Sequence, residues 1–540
     1  MSLKARLFLQ KKSFTLTTIV VFLATFSFAQ VTYKNPILPG FYPDPSICKV
    51  GDDYYMVNSS FGYFPAVPLW HSKNLVNWEQ ISYVLNRKEQ VELSKAQTTL
   101  GIFAPTIRYN KGVFYMITTN ITDKGNFYVT TKDPRGEWSK PIWIDAPGID
   151  PSLFFDDDGK AYVTSTQNWG AIKNGIVMSE IDIATGKLLT QPKSIWLGTG
   201  GRYPEGPHIY KKDGYYYLMI AEGGTEYGHK ITMARSKDIW GVYESNPANP
   251  IITHANASGE SNPIQGVGHG DMVQTNEGSW FLVMLGFRPL DSHQFLGRET
   301  FLAPVVWKEN EFPVVNGNGT IALEMKCDKL PEAVKVQKFD QEETFNREVL
   351  GLEWNYINNP IIQNYSLTER KGFLRLHGSE KSLSQNPEVT FVGRRQQHFD
   401  FTTTTTLDFN PTTANEEAGI TMYRDAQHHY KLYIQTTGKK RELVLAYHIG
   451  NIKAVEKRVT LKSGTVKLSV SGTQEFYELG FSQGNAPLTT LGKVQTRYLS
   501  FETAGGMTGV YIGLYATGNG STAKTPADFD DFSYKPVTAK

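Results

Sequence analysis

Four side chains able to move protons recur at one place in a repeated motif. Asp44 stands in Tyr-Pro-Asp-Pro-Ser-Ile, Asp150 in Gly-Ile-Asp-Pro-Ser-Leu, Glu205 in Tyr-Pro-Glu-Gly-Pro-His-Ile, and His269 in Gly-His-Gly-Asp-Met-Val. Prolines on both sides of Asp44 remove amide donors and stiffen the backbone, which predicts Asp44 in extended geometry. One Asp before a proline is an ordinary turn residue. Three acids and a histidine at matching points of a repeat are not, because like charges brought together in a partly desolvated place cost free energy. Two carboxyl groups flanking an anomeric carbon are the minimum for hydrolysing a glycosidic bond: one ionised to activate water, one protonated to assist the leaving oxygen. A third, ionised carboxylate beside the acid would keep it protonated near neutral pH. No Gly-x-Ser-x-Gly, Walker loop or His-Glu-x-x-His occurs, which disfavours acyl transfer, phosphoryl transfer and zinc hydrolysis.

The elements that position these residues follow from what comes after each motif. Asp44-Pro45-Ser46-Ile47 runs into GDDYYMVNS, Ala104-Pro105-Thr106-Ile107 into NKGVFYMITTN, and Asp150-Pro151-Ser152-Leu153 into DDDGKAYVTST. Glu205-Gly206-Pro207-His208-Ile209 leads to KKDGYYYLMIAEG, and His269-Gly270-Asp271-Met272-Val273 to TNEGSWFLVMLG. Each unit reads as a short strand, a Gly-containing turn and a second β-rich run, which is a hairpin signature. Five units recur about every 45 to 65 residues over residues 35–326. That period predicts a five-bladed β-propeller. No 3.6-residue apolar period supports a helical solenoid. In a propeller the first strand of each blade lies nearest the axis, so the motif positions converge on one funnel.

Beyond residue 338 the texture changes to alternating strands such as GFLRLHGS, FTTTTTLDF, YKLYIQTT, ELVLAYHIG and GVYIGLYATG. This is antiparallel patterning at sandwich spacing. The predicted organisation is all-β: a propeller over 30–328, a linker over 329–338 and a β-sandwich over 339–540. His428-His429 reads as ordinary strand sequence, since neighbours on a strand face opposite ways. Asp528, Asp530 and Asp531 in ADFDDFSYK read as an exposed acidic turn.

Residues 1–29 have Lys4, Arg6, Lys11 and Lys12, no acids, and a short apolar run ending Ser27-Phe28-Ala29. That is the pattern of a secretory signal peptide, which makes the mature protein periplasmic or secreted. Subtracting its four charges from the formal +2 leaves about −2, and nothing points to nucleic acid. No other stretch is apolar enough to span a membrane. The two cysteines, Cys48 and Cys327, are too few for a zinc site, and a disulfide between them stays open.

The motifs FYPDPSI, GIDPSLFFDDDGKAY, RYPEGPHIYKKDGYYYL and GVGHGDMV, in this order, resemble the signature segments of glycoside hydrolase family 43. The resemblance implies a five-bladed propeller that inverts configuration at the anomeric carbon. It implies Asp44 as general base, Asp150 as the group that tunes and orients the acid, and Glu205 as general acid. It further implies Phe61 as an aromatic against the terminal sugar and Arg298 as a donor to sugar hydroxyls. Phe103 stands where many relatives carry Trp, which keeps an aromatic but leaves pentose selectivity in question. His269 resembles an axial histidine that in some members is a ligand of a central Ca²⁺; histidine is not a preferred calcium ligand, so water or Asp would have to supply most of the binding. The sandwich resembles the C-terminal domain of two-domain β-xylosidase-like members, which narrows the pocket. The expected activity is release of terminal pentose from xylo- or arabino-oligosaccharides. An endo-arabinanase with an open groove and a non-catalytic carbohydrate-binding propeller are the alternatives.

Overall fold

The computed structural model describes residues 30–167, 175–255, 262–331 and 342–537. The proposed signal segment and residues 332–338 of the linker lie outside them. Five antiparallel sheets surround a common axis. Blade 1 comprises Ser46–Val50, Asp53–Val57, Ala66–Ser72 and Glu79–Leu85. Blade 2 comprises Thr106–Asn110, Val113–Asn120, Gly125–Thr131 and Ile142–Trp143. Blades 3, 4 and 5 begin with Ile149–Phe155, Glu205–Lys212 and Gln265–Gln274, and the first strands of neighbouring blades pack side by side around the axis. The hairpin turns have the expected chemistry. Lys111-Gly112 and Asp213-Gly214 each place two successive residues at positive φ, the backbone of a type I′ turn, whose twist matches that of its strands.

The ends of the propeller clasp each other. Val31–Lys34 pairs antiparallel with Glu324–Cys327, and the Asn35 side chain both donates to and accepts from the Leu302 backbone at 3.0 Å. Both cysteines are buried free thiols, in blade 1 and in this clasp, so no disulfide joins them. Among the described residues no helix is long and apolar enough to cross a membrane.

Residues 342–537 supply eight strands to one sheet and seven of the eight strands to a second, around one core. Strand Phe401–Asp408 shows the alternation well: Phe401, Thr403, Thr405 and Leu407 are buried while their neighbours are half-exposed. The two buried threonines satisfy their hydroxyls on the carbonyls of Ser533 and Asp531, both at 2.6 Å. His428 and His429 are ordinary strand residues, bonded to the Asp425 carboxylate and carbonyl. Asp528 departs from expectation. It is buried in the last strand, not exposed in a turn, because Arg370 and Arg375 grip its carboxylate at 2.7 Å each.

The two domains are continuous in hydrogen bonding. Tyr63–Phe64, from the blade 1 connection, pairs with Asn355–Ile357 and so forms the edge of a sandwich sheet. Tyr63 stacks on Tyr511 of the sandwich with ring centroids 3.9 Å apart, and Arg395 Nε donates to the Phe41 carbonyl at 2.8 Å.

Candidate active site

Asp44, Asp150, Gly206 and His269 share one backbone feature. Their φ angles are 52°, 54°, 58° and 39°, the left-handed region, so Asp44 is not in the extended geometry that its flanking prolines predict. For residues with a Cβ this conformation costs of order 1–3 kcal/mol each and persists only where the surroundings enforce it. Pairing to the second strand is interrupted there: the register shifts between Ile149 and Ser152, between Glu205 and His208, and between Gln265 and Gly270. These bulges re-aim side chains toward the axis. They also correct one sequence expectation. The residue equivalent to Asp44 and Asp150 in blade 4 is Gly206, and Glu205 sits one position earlier. The reason is steric: a Cβ on Gly206 would come within 2.9 Å of the His269 ring.

Asp44 is buried and ionised. Its Oδ2 accepts from Ser59 Oγ at 2.5 Å, and its Oδ1 accepts from Arg298 Nη1 at 2.8 Å. Burial works to raise its carboxyl, but Arg298, His269 and the Ser59 hydroxyl outweigh that and hold it below the usual range. Across the axis the balance is reversed. Burial first, and then the Asp44 charge, push Glu205 up to about 7. Burial and the charges of Glu205 and Asp44 push Asp150 well above the usual carboxylate range. Asp150 and Glu205 therefore titrate as a pair and hold a proton at neutral pH while Asp44 holds none. His269 Nδ1 lies 3.9 Å from both Asp44 Oδ1 and Asp150 Oδ2, beyond hydrogen-bond range, and burial lowers its pKa so that it is neutral.

An aromatic wall adjoins Arg298. Phe61 packs against Phe103 at 5.3 Å and Phe41 at 5.7 Å, and the Arg298 guanidinium lies 5.6 Å from the Phe61 ring centre, a cation–π contact. Phe61 too is left-handed, at φ 51°. The structure thus gathers Asp44, Asp150, His269, Arg298, Phe61 and Phe103 with Glu205 around one end of the axis.

Sequence reasoning missed the layer beneath. Asp271 accepts from Arg108 Nη1 at 2.6 Å, Tyr210 Oη at 2.6 Å, Ser46 Oγ at 2.7 Å and the Ile47 amide at 3.1 Å. Arg108 Nη2 also meets His208 Nδ1 at 2.8 Å, and Ser152 Oγ lies 3.1 Å from the same nitrogen. Ser46, Ser152, His208 and Asp271 each stand two residues after the left-handed position, so a signal was present in the repeat. Arg108 comes from blade 2, where the motif position is Ala104. The network also tests the calcium expectation. Ca²⁺ takes six to eight oxygens. Here the Asp271 oxygens are committed to Arg108, Tyr210, Ser46 and the Ile47 amide, and His208 and His269 offer nitrogen rather than oxygen, so among the described residues this layer does not make an oxygen-rich site for that ion.

A propeller carrying one ionised and two proton-sharing carboxyls on its axis is the architecture of an enzyme that cleaves glycosidic bonds. The comparisons make the class specific. The model for glycosyl hydrolases family 43 matches residues 33–313, and that for the beta xylosidase C-terminal concanavalin A-like domain matches residues 342–535. The chain belongs to glycosyl hydrolase family 43. It is 41% identical to a non-reducing end alpha-L-arabinofuranosidase of Bacteroides ovatus over 529 residues, 96% of this chain and 98% of that protein. It is 33% identical to a beta-xylosidase of Bacillus subtilis over 533 residues, 93% of this chain and 99% of the relative. The crystal structure of a xylan beta-1,4-xylosidase from Bacillus halodurans superposes with a TM-score of 0.89 at 35% identity, covering 93% of this chain and all of that one.

Proposed function

We propose that this glycoside hydrolase is a secreted, inverting exo-glycosidase that releases terminal xylose or arabinofuranose from xylo- and arabino-oligosaccharides. The observation that carries the reading is the contrast between Asp44, held ionised by Arg298, and Glu205, held protonated to about pH 7 by burial and by the Asp44 charge. Asp44 takes a proton from water as the water attacks the anomeric carbon. Glu205 delivers its proton to the leaving oxygen on the opposite side. Asp150 is not the permanently ionised neighbour that the sequence suggests: burial and the charges of Glu205 and Asp44 raise it too, so it shares the site's proton with Glu205, and in this reading that sharing helps to keep the acid loaded. Arg298 orients Asp44 and presents its remaining N–H groups to the sugar, whose apolar side rests against Phe61. Exo action is supported by the sandwich, whose Arg424, Met507 and Thr508 wall the cavity next to Arg298. Names of relatives on both sides, arabinofuranosidase and xylosidase, support the pentose class. Secretion rests on the basic and apolar segment 1–29.

The test is incubation with nitrophenyl α-L-arabinofuranoside, nitrophenyl β-D-xyloside and the corresponding oligosaccharides, with the first-formed anomer followed by NMR. Release of single pentoses of inverted configuration is expected. Internal cleavage would identify an endo enzyme, retained configuration would refute the water-activating role of Asp44, and binding without turnover would identify a lectin.

A further inference from the structure

Arg424 lies on strand Glu417–Asp425 of the sandwich, and its side chain is 1% exposed. Its Nη2 donates to the carbonyls of Gly505 and Gly506 at 3.0 and 3.4 Å, while Nε and Nη1 have no hydrogen-bond partner. Among the described residues no carboxylate forms an ion pair with it. The adjacent Asp425 is spent on His428 and the Gln427 amide, and Glu502 accepts from the Gln294 amide. Arg298, 6% exposed, is paired with Asp44 but also has idle donors on the propeller side: Nη1 serves Asp44 and Thr225, and Nε and Nη2 are unpartnered. Both arginines line one cavity of about 10 Å³, room for a single water, together with Thr225, Gln294, Met507 and Thr508. A buried guanidinium without a counter-ion destabilises the fold, and orphaned N–H donors of this kind call for an acceptor the chain does not supply.

We propose that Arg424 is a substrate-specificity residue: its free Nε–H and Nη1–H donate to a ring hydroxyl of the terminal sugar whose neighbouring oxygen Arg298 holds, so that the pocket is completed only across the domain boundary. The proposal rests on the exo-glycosidase reading. A hydroxyl is the matching acceptor because Arg298, which lines the same cavity, also grips the carboxylate of Asp44, and a second anion there would be repelled. Burial brings the Arg424 pKa down to about 10, so the group is still cationic at neutral pH.

The experiment compares wild type with Arg424→Met and Arg424→Lys, reading kcat and KM on both nitrophenyl pentosides, kcat/KM on the singly deoxygenated series of the better substrate, and Tm. Arg424→Met is expected to lower kcat/KM about 10- to 100-fold, the loss of a charged hydrogen bond, mainly through KM. Tm should hold or rise, since an uncompensated buried charge is gone, and Lys should recover part of the loss. For one deoxygenated substrate wild type and Met variant should become nearly equal. Unchanged kcat/KM would overturn the proposal. So would a fall in Tm with the same loss on every deoxygenated substrate, which would make Arg424 only an anchor for the Gly505-Gly506 turn. If wild type releases no pentose, the exo-glycosidase reading fails separately, and calorimetric titration with free xylose and arabinose then decides: binding lost in the Met variant supports the Arg424 contact, and binding retained overturns it.

Discussion

Asp150→Asn isolates the charge coupling on which the acid's protonation depends. The substitution keeps the size of the side chain and most of its hydrogen bonding but removes its charge. In wild type, the last proton to leave the Asp150–Glu205 pair does so with the other carboxylate already ionised, wherever the shared proton sits beforehand. That step therefore lies above the value set by burial and Asp44 alone. In the variant only Glu205 titrates, raised by burial and the Asp44 charge alone. Raising a carboxyl from 4.5 to about 7 already corresponds to roughly 3 kcal/mol, and a neighbouring carboxylate adds roughly a further 1–2 kcal/mol. The expected result is an alkaline limb of kcat/KM that lies at lower pH in Asp150→Asn than in wild type, by about one unit if the coupling is worth about 1.4 kcal/mol. The sign is fixed: a raised acid pKa preserves activity up to that pKa, and removing the raising charge withdraws activity at lower pH. The assay is kcat/KM against pH on a nitrophenyl pentoside, with Tm recorded to exclude unfolding. An unmoved alkaline limb with a uniform loss of rate would refute the coupling and leave Asp150 as a substrate-positioning group.

Glu205→Ala should slow hydrolysis of oligosaccharides by about 10²–10⁴, but hydrolysis of substrates with activated leaving groups far less, since these need no protonation; equal losses would show that Glu205 is not the acid. Arg298→Met removes a cation that lowers the pKa of both Asp44 and Glu205, so both limbs of the residual pH–rate profile should move to higher pH; a fixed acid limb would mean that Ser59 and His269 suffice to hold Asp44 ionised. Arg108→Met leaves Asp271 buried without its guanidinium and should destabilise the propeller by about 3 kcal/mol or more, read as the urea midpoint, with partial recovery in Arg108→Met/Asp271→Asn. No recovery in the double variant would place the loss in packing of the Arg108 stem.

Blade number, domain order and the convergence of Asp44, Asp150 and His269 were legible because each blade repeats the same local code: an acid or histidine, then a short strand, then a Gly turn. Glu205 does face the other carboxyls on the axis, but it stands one residue out of register with Asp44 and Asp150. The Pro207 alignment and the φ of 58° at Gly206 show that the left-handed slot had to be glycine beneath the His269 ring, a contact between blades 4 and 5 that no single motif encodes. Arg108 escaped because its blade breaks the pattern at Ala104. Asp528 was misread because the arginines that bury it lie more than 150 residues earlier in the chain. Arg424 and Thr508 were invisible for the same physical reason: sandwich strands fix their own alternation, and only the docking of the two domains decides which of their polar residues reach the site.

That docking is built into the fold more deeply than an appended domain requires. The segment leading to Asp44 passes Phe41, whose carbonyl is held by Arg395, and Tyr42, whose ring lies 4.6 Å from the Arg395 guanidinium. Downstream, Ser59 bonds to Asp44, Phe61 lines the site, and Tyr63–Phe64 completes a sandwich sheet within four residues of that hydroxyl. The left-handed angles at Asp44 and Phe61 thus lie on a stretch of chain anchored at both ends by the sandwich. Strain of this kind survives only where the surroundings over-determine the backbone. The sandwich supplies much of that constraint, since releasing Arg395 and the Tyr63–Phe64 pairing would free the two segments that aim the ionised carboxylate and its aromatic wall. The second domain therefore holds in place the two segments that carry Asp44 and Phe61, and their left-handed backbone relies on the two domains remaining docked.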